Sequence, residues 1–254
     1  MARHNPEAPE FASWKSFDEF AHQVRCSRRY VWNAAIKAFL DTVLATLKNR
    51  DVNIAARTIL YRAQRGIDYD YNQALAEDED GIGKPVGYCA ARMKPLPNRA
   101  RQGRANPAGI PVLYLASTAQ TAISEVRPWV GSEVSIAQFE IVRNIRAVNL
   151  SLGHGQVPFG HLTFDQLEGI EPLNAATKEK AVWIDIDNTF SQPVTLSDDE
   201  ADYVPTQILA ELFKNAGYDA IIYRSQVGKE GYNYALFDLD DANAIVVPPV
   251  RSRV

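Results

Sequence analysis

Short runs rich in β-forming residues are scattered along this chain without regular alternation with helices, and that irregularity limits its fold more than any other feature. The runs fall at residues 58–63, 111–116, 133–141, 145–150, 220–223 and 234–237, with a further candidate at 244–247. A doubly wound parallel sheet requires strand and helix in steady succession, and here some strands follow one another directly while others are far apart. The expected class is α+β.

Helical signals stand between and before the strands. Ser16 and Glu19 have the spacing of a capping box, in which a hydroxyl and a carboxylate satisfy free backbone donors reciprocally. Trp32, Ile36, Phe39, Val43 and Leu47, with Leu40 beside them, recur at three- and four-residue steps and predict one helix over 28–48. Ser117 is placed to cap a helix that carries Thr121, Ile123 and Glu125 as far as Pro128. Residues 200–216 read as a helix stopped by Gly217. The polar stretch 68–97, acidic at first and dotted with glycine and proline, reads as one long loop. The expected organisation is a small helical N-terminal unit, residues 1–55, followed by a main domain, residues 56–254.

Composition narrows the function classes. At 254 residues there is chain enough for one sizeable core with a smaller attachment. A formal net charge of -4 and a pI near 5.6 argue against nucleic acid as the main partner. Cys26 and Cys89 lie far apart and have no metal-ligand spacing, as expected of two reduced thiols. The opening MARHNPEAPEF lacks the apolar core of a secretory signal, and no apolar run is long enough to cross a bilayer. A cytoplasmic protein without a membrane partner is expected, and nothing in the sequence decides self-association.

Three motif-like stretches are weaker than they look. Gly81, Gly83 and Gly87 suggest a phosphate-binding loop, but an acidic segment precedes them and Pro85 interrupts them, so a plain loop is expected. His154 and His161 flank a glycine-rich segment with no third ligand at motif spacing, and no metal is expected. Residues 182–189, with Asp185 and Asp187, read as an apolar strand ending in the D-x-D-x-T pattern of haloacid-dehalogenase-type phosphatases. That pattern opens the domain in those enzymes, whereas here it sits near the end, so coincidence is the better account.

A stronger constellation is spread over three places. Tyr61-Arg62-Ala63 comes first. Gly103-Arg104-Ala105-Asn106-Pro107-Ala108-Gly109-Ile110 then leads through Tyr114 to Thr121-Ala122-Ile123-Ser124-Glu125-Val126. Tyr223-Arg224-Ser225 and Gly231-Tyr232-Asn233-Tyr234 complete it. This ordered set, over about residues 56–240, resembles the RES domain family, named for an arginine, a glutamate and a serine, which match Arg62, Glu125 and Ser225. Ala220 stands where a glycine is common in the family. The resemblance implies a core like that of the ADP-ribosyltransferases, a split sheet holding NAD as substrate in a cleft. It also implies consumption of NAD by hydrolysis, by phosphorolysis with inorganic phosphate, or by transfer of ADP-ribose to a protein. The family further implies a toxin role, paired with a helix-turn-helix antitoxin.

The residue types suit that chemistry. The nicotinamide of NAD is a cationic leaving group that departs neutral, so the barrier is positive charge growing on the ribose, which a carboxylate stabilises. Glu125 is the candidate. Arginine forks bind two diphosphate oxygens at once and stay charged, which suits Arg62 and Arg104. Tyr114 offers an aromatic face to a cationic ring, and Ser225 a hydroxyl for substrate or for Glu125. Against these stand plainer roles: a solvated ion pair, a core tyrosine, a turn serine. A non-catalytic interaction protein and a phosphatase using Asp185 and Asp187 are the remoter alternatives.

Overall fold

The computed structural model describes residues 9–71, 83–192, 200–227, 231–245 and 250–253, the last four by their backbone. The elements are α1 (Ser16–Cys26), α2 (Ala34–Thr46), β1 (Asp51–Ile54), β2 (Ile59–Arg65), β3 (Asp68–Asp70), β4 (Lys84–Val86) and α3 (Ala90–Met93). They continue with β5 (Leu113–Ala116), α4 (Ala119–Glu125), β6 (Glu133–Ile141), β7 (Ile145–Leu150), α5 (Phe164–Leu167), α6 (Ala175–Ser191) and α7 (Val204–Asn215). The last are β8 (Ala220–Arg224), β9 (Tyr232–Leu236), β10 (Ala242–Ala244) and β11 (Val250–Arg253). The class is α+β, with a multi-stranded sheet and flanking helices.

The chain divides into two compact units. The first takes Met1–Val52, Gly103–Pro107 and Val148–Tyr218; the second takes Asn53–Gln102, Ala108–Ala147 and Asp219–Val254. The chain first crosses from one unit to the other after Val52. Later crossings return residues 103–107 and 148–218 to the unit of the N-terminal helices.

The first unit is helical. Its core gathers Phe17, Phe20 and Val24 of α1, Ile36, Phe39 and Val43 of α2, Val182, Ile186 and Phe190 of α6, and Leu209 and Phe213 of α7. The Phe20 and Phe39 rings stack at 4.5 Å. One ion pair is buried with them: Arg50 Nη1 lies 2.6 Å from Asp187 Oδ1, and the Asp187 side chain is 0% exposed. Asp187 Oδ2 accepts the Gly153 N–H at 2.6 Å, and Arg50 lies over the Trp183 ring at 4.1 Å. A buried charge needs such partners, and removing one of them leaves the other charge uncompensated.

Several sequence expectations are corrected here. The helix expected over 28–48 begins only at Ala34, because Asn33 accepts the Ile36 N–H at 2.9 Å and caps it. Ser16 is not a cap; its hydroxyl turns back to the Ser13 carbonyl at 2.8 Å, and Lys15 holds the N-cap position. Residues 182–189 form no strand: they lie within α6, so Asp185 and Asp187 project from a helix rather than from the end of a β-strand. A phosphatase nucleophile of the D-x-D-x-T type has no strand end to stand on. The final helix is split into a 3-10 turn, Glu200–Tyr203, and α7, with Pro205 in the first turn where its missing N–H costs nothing.

The second unit is built on a sheet ordered β1-β7-β8-β9-β5-β2-β6-β10, taking in the ends of β1 and β7 that belong to this unit. β11 pairs with β6 beyond β10, Val250 opposite Ile136. β6 is as long as the sequence predicts, and its alternation puts Ser135, Ala137, Phe139 and Ile141 on one buried face, with Val134 buried on the other. Register lengths differ along the sheet. β2 runs along β6 from Ile59 opposite Glu140 to Arg65 opposite Val134, and β5 along β9 from Leu113 opposite Leu236 to Ala116 opposite Asn233. Between β2 and β5 the register holds a single pair, Tyr61 opposite Ala116. The stretch expected as one loop, 68–97, contains the β3–β4 pair and α3; Gly81 and Ile82 lie outside the described residues, and Lys84–Val86 is a strand, not a loop opening a helix.

Asp185 supplies a test of the first unit. Burial, with the charge of Asp18 adding to it, pushes the Asp185 carboxyl up from its ordinary 3.8 to about 7. A carboxyl harder to ionise in the folded chain than in the unfolded one weakens the fold as pH rises from about 4 to about 7. Asp185→Asn is therefore expected to melt above the wild type at pH 8 and together with it at pH 4, as followed by circular dichroism.

Candidate active site

The break in pairing between β2 and β5 is where the candidate site opens. Antiparallel strands joined at Tyr61 and Ala116 would ordinarily continue their ladder. Here the Arg62 side chain intervenes, and its Nη1 donates to the Tyr114 carbonyl at 3.1 Å. Around the opening lies a cleft of about 250 Å³, walled by Tyr61, Tyr114 and Tyr223 and lined also by Arg62, Glu125 and Asn233.

α4 carries the acidic group to this cleft. Thr118 caps it, accepting the Thr121 N–H at 3.0 Å, which corrects the expectation of a Ser117 cap. Ser117 serves the sheet instead, accepting the Tyr232 N–H at 3.0 Å. Ala122 and Ile123 pack with Ala63, Ala116 and Val134, so the helix lies across the loosened strands. Pro128 bars the residue before it from continuing a helix, and Arg127 turns with φ 45°. The helix therefore ends with Glu125 as its last residue.

One oxygen of Glu125 is held firmly. Ser225 Oγ donates to Oε1 at 2.6 Å and Asn233 Nδ2 donates to the same atom at 2.7 Å. Both donors are buried, at 7% and 5% exposure, whereas Glu125 itself is exposed. Its Oε2 has no partner among the described residues. A carboxylate accepts only, so both contacts are charge-assisted and hold the group in one orientation. Ser225 is placed in turn by its own N–H, which donates to the Gly231 carbonyl at 3.0 Å.

Gly231 is needed for that placement. A Cβ there would come within 2.7 Å of Thr121 Cβ, so only glycine lets α4 approach the start of β9. Gly231→Ala is expected to force α4 outward and to cost about 1–3 kcal/mol, the usual size of overpacking, read as a lower urea midpoint.

Arg62 is half-buried, and its Nε has no partner among the described residues. Burial brings the guanidinium down to about 10, well above neutrality, so it is a cation in the cleft with a carbonyl as its hydrogen-bond partner. A charge in that state leaves donors for an electron-rich or anionic ligand.

Of the residues predicted from sequence, Arg62, Tyr114 and Glu125 line one cleft, and Ser225 bonds Glu125 there. Arg104 is not among the lining residues and belongs to the other unit. There Gln207 Nε2 donates to the carbonyls of Gly103 and Asn106 at 2.9 Å each, fixing the tight loop that presents Arg104. Arg104 Nη1 donates to the carbonyls of Thr189, at 3.0 Å, and Phe190 at the end of α6. Sequence reasoning assigned no role to Asn233, Tyr61 or Tyr223. The signal for Asn233 was a polar side chain sharing a strand face with buried Ala235. Neither His154 nor His161 joins a group of three or more metal ligands among the described residues.

Comparison with known proteins bears on what such a site belongs to. No curated protein matches the chain in sequence. Among solved structures, a chain from the crystal structure of the M. tuberculosis MbcT–MbcA toxin–antitoxin complex is similar, with 11% identity and a TM-score of 0.39, over 82% of this chain and 89% of that one. The family model of the RES domain matches residues 81–253, a span that holds Arg104, Glu125, Ser225 and Asn233 and begins beyond Arg62. Because that match takes in more than half of its length, the chain belongs to the RES domain family.

Proposed function

We propose that this protein breaks the nicotinamide–ribose bond of NAD in the cleft beside Glu125. The observation that carries the reading is the Glu125 carboxylate, fixed through one oxygen by Ser225 and Asn233, with no partner on the other among the described residues. Heterolysis sends the electron pair of the glycosidic bond to nicotinamide, which leaves neutral, while positive charge grows on the ribose. A preorganised carboxylate lowers the energy of that charge without reorganising. The incoming oxygen, from water or from inorganic phosphate, closes the new bond at the ribose carbon and sheds its proton to solvent. The products are ADP-ribose in the first case and ADP-ribose 1″-phosphate in the second.

The other groups take supporting roles in this reading. Ser225 and Asn233 orient Glu125. Tyr114, with Tyr61 and Tyr223, offers aromatic faces to the cationic nicotinamide ring. Arg62 Nε, which has no partner among the described residues, supplies an N–H donor to a phosphate or carboxamide oxygen.

Transfer of ADP-ribose to a specific protein is the second reading, and one feature favours it. The turn directly after Glu125 exposes Trp129 at 76% and Val130 at 101%, an apolar tip suited to a protein acceptor. Labelled NAD separates the outcomes: label on a protein band marks transfer, free ADP-ribose hydrolysis, and the 1″-phosphate phosphorolysis.

Purified protein given NAD is expected to release nicotinamide, and Glu125→Gln to lower kcat by about 10²–10³. Ser225→Ala and Asn233→Ala are each expected to lower kcat less. Combined with Glu125→Gln they should add little, since all three act through one oxygen. No nicotinamide release with water, phosphate or protein acceptors overturns the reading, and full activity in Glu125→Gln moves the chemistry out of this cleft. The same proposal extends to a cytoplasmic toxin restrained by a helix-turn-helix antitoxin. Expression is then expected to deplete cellular NAD and slow growth, with relief by Glu125→Ala or by the cognate partner. Growth inhibition that persists unchanged in Glu125→Ala would instead favour a non-catalytic interaction protein.

A further inference from the structure

Between Glu19 and Asp41 the sequence contains no acidic residue, yet it carries Arg25, Arg28, Arg29 and Lys37 in a chain of formal net charge -4. The structure gathers much of this charge at the turn joining α1 to α2. Arg28 and Arg29 are exposed there, and beside them Tyr30 is 87%, Val31 79% and Trp32 36% exposed. Arg25 is already paired, its Nη1 lying 3.1 Å from Asp202 Oδ1. Arg28 and Arg29 make no ion pair among the described residues.

The turn is held at both ends. The N–H groups of Ser27 and Arg28 both donate to the Gln23 carbonyl at 2.9 Å, closing α1. Trp32 Nε1 donates to the Arg29 carbonyl at 3.0 Å, and Asn33 Nδ2 to Gln23 Oε1 at 2.9 Å. The Asn33 cap on α2 fixes the other side. A loop already ordered loses little further freedom when it is engaged, so contacts made by its exposed side chains are retained as affinity.

Tyrosine, tryptophan and arginine are the residue types that most often dominate protein–protein binding energy. Here they stand in one run, Arg28-Arg29-Tyr30-Val31-Trp32, with exposed apolar side chains and two cations that make no ion pair among the described residues. We infer that the α1–α2 turn is a docking site for an acidic segment of a partner protein. Charge complementarity selects the acidic character, and the aromatic pair selects a polypeptide with apolar side chains between its carboxylates. A duplex nucleic acid calls for a wider basic field than this acidic chain presents. A bilayer surface calls for a longer amphipathic face or a second anchor. The surface belongs to the helical unit and is independent of the chemistry proposed for Glu125.

The probe is a fluorescein-labelled peptide of glutamate interspersed with phenylalanine, titrated into the full chain at low salt and followed by anisotropy. Binding is expected, weakening as salt rises. Arg28→Glu/Arg29→Glu is expected to weaken it about tenfold or more, and Tyr30→Ala/Trp32→Ala to weaken it while leaving the salt dependence in place. Arg28→Glu/Arg29→Glu should keep the wild-type melting temperature, and both variants should keep NAD consumption. Unchanged affinity in the arginine variant overturns the inference. So does tighter binding of a single-stranded oligonucleotide or of phosphatidylglycerol vesicles than of the peptide. A fall in melting temperature in Arg28→Glu/Arg29→Glu would show that the arginines serve the fold, and would overturn it as well.

Discussion

The hydrogen bond from Arg62 to the Tyr114 carbonyl is the contact around which the second unit is organised. Backbone carbonyls in a sheet must be satisfied, ordinarily by the N–H of the next strand. Where β2 and β5 part, a side chain takes that role, so the sheet opens beyond Tyr61 and Ala116 without leaving the Tyr114 carbonyl bare. The gap becomes a cleft rather than a fault, with three tyrosines for walls and a cation set into its lining. The half-buried arginine is costly to the fold, and an Nε without a partner among the described residues is the kind of local inconsistency that proteins keep at functional sites.

Glu125 shows the same tension. It is the last residue of α4, where the partial negative charge of the helix end disfavours a carboxylate. Two charge-assisted hydrogen bonds, from Ser225 and Asn233, offset that penalty and set the orientation of the group. Their reach depends on α4 lying close to the start of β9, which the missing side chain of Gly231 permits. The acidic residue, its two donors and one glycine therefore form a single mechanical unit, although they come from distant parts of the chain. The two compact units divide the arginines as well: Arg62 sits in the opening of the sheet, and Arg104 is fastened to helix carbonyls elsewhere.

Much of this was legible in the linear order of residues. Strands β6 and β7 coincide with runs marked by β-forming residues, because half-buried strands write their alternation directly into the sequence. The cap of α4 missed by one residue, since Ser117 and Thr118 are chemically equivalent caps and only the demand of the Tyr232 N–H decides between them. The apolar run around Asp185 read as a strand because a short buried segment looks the same in either period, and packing against α1, α2 and α7 made it a helix. Trp32 fitted a helical stripe but lies outside α2, since Asn33 offers a stronger local signal than one more apolar position.

What the sequence determined by itself was the α+β class, most strand positions, and a set of residues whose types suit charge stabilisation on a sugar. These follow from local periodicity and from side-chain chemistry, which need no knowledge of distant neighbours. Only the tertiary structure decided that Asn233 shares an oxygen of Glu125 with Ser225, that Arg62 spans the parted strands, and that the Asp185 motif is helical. Those outcomes rest on pairing between segments far apart in the chain, where the competition for each backbone carbonyl and each buried charge is settled by geometry rather than by propensity.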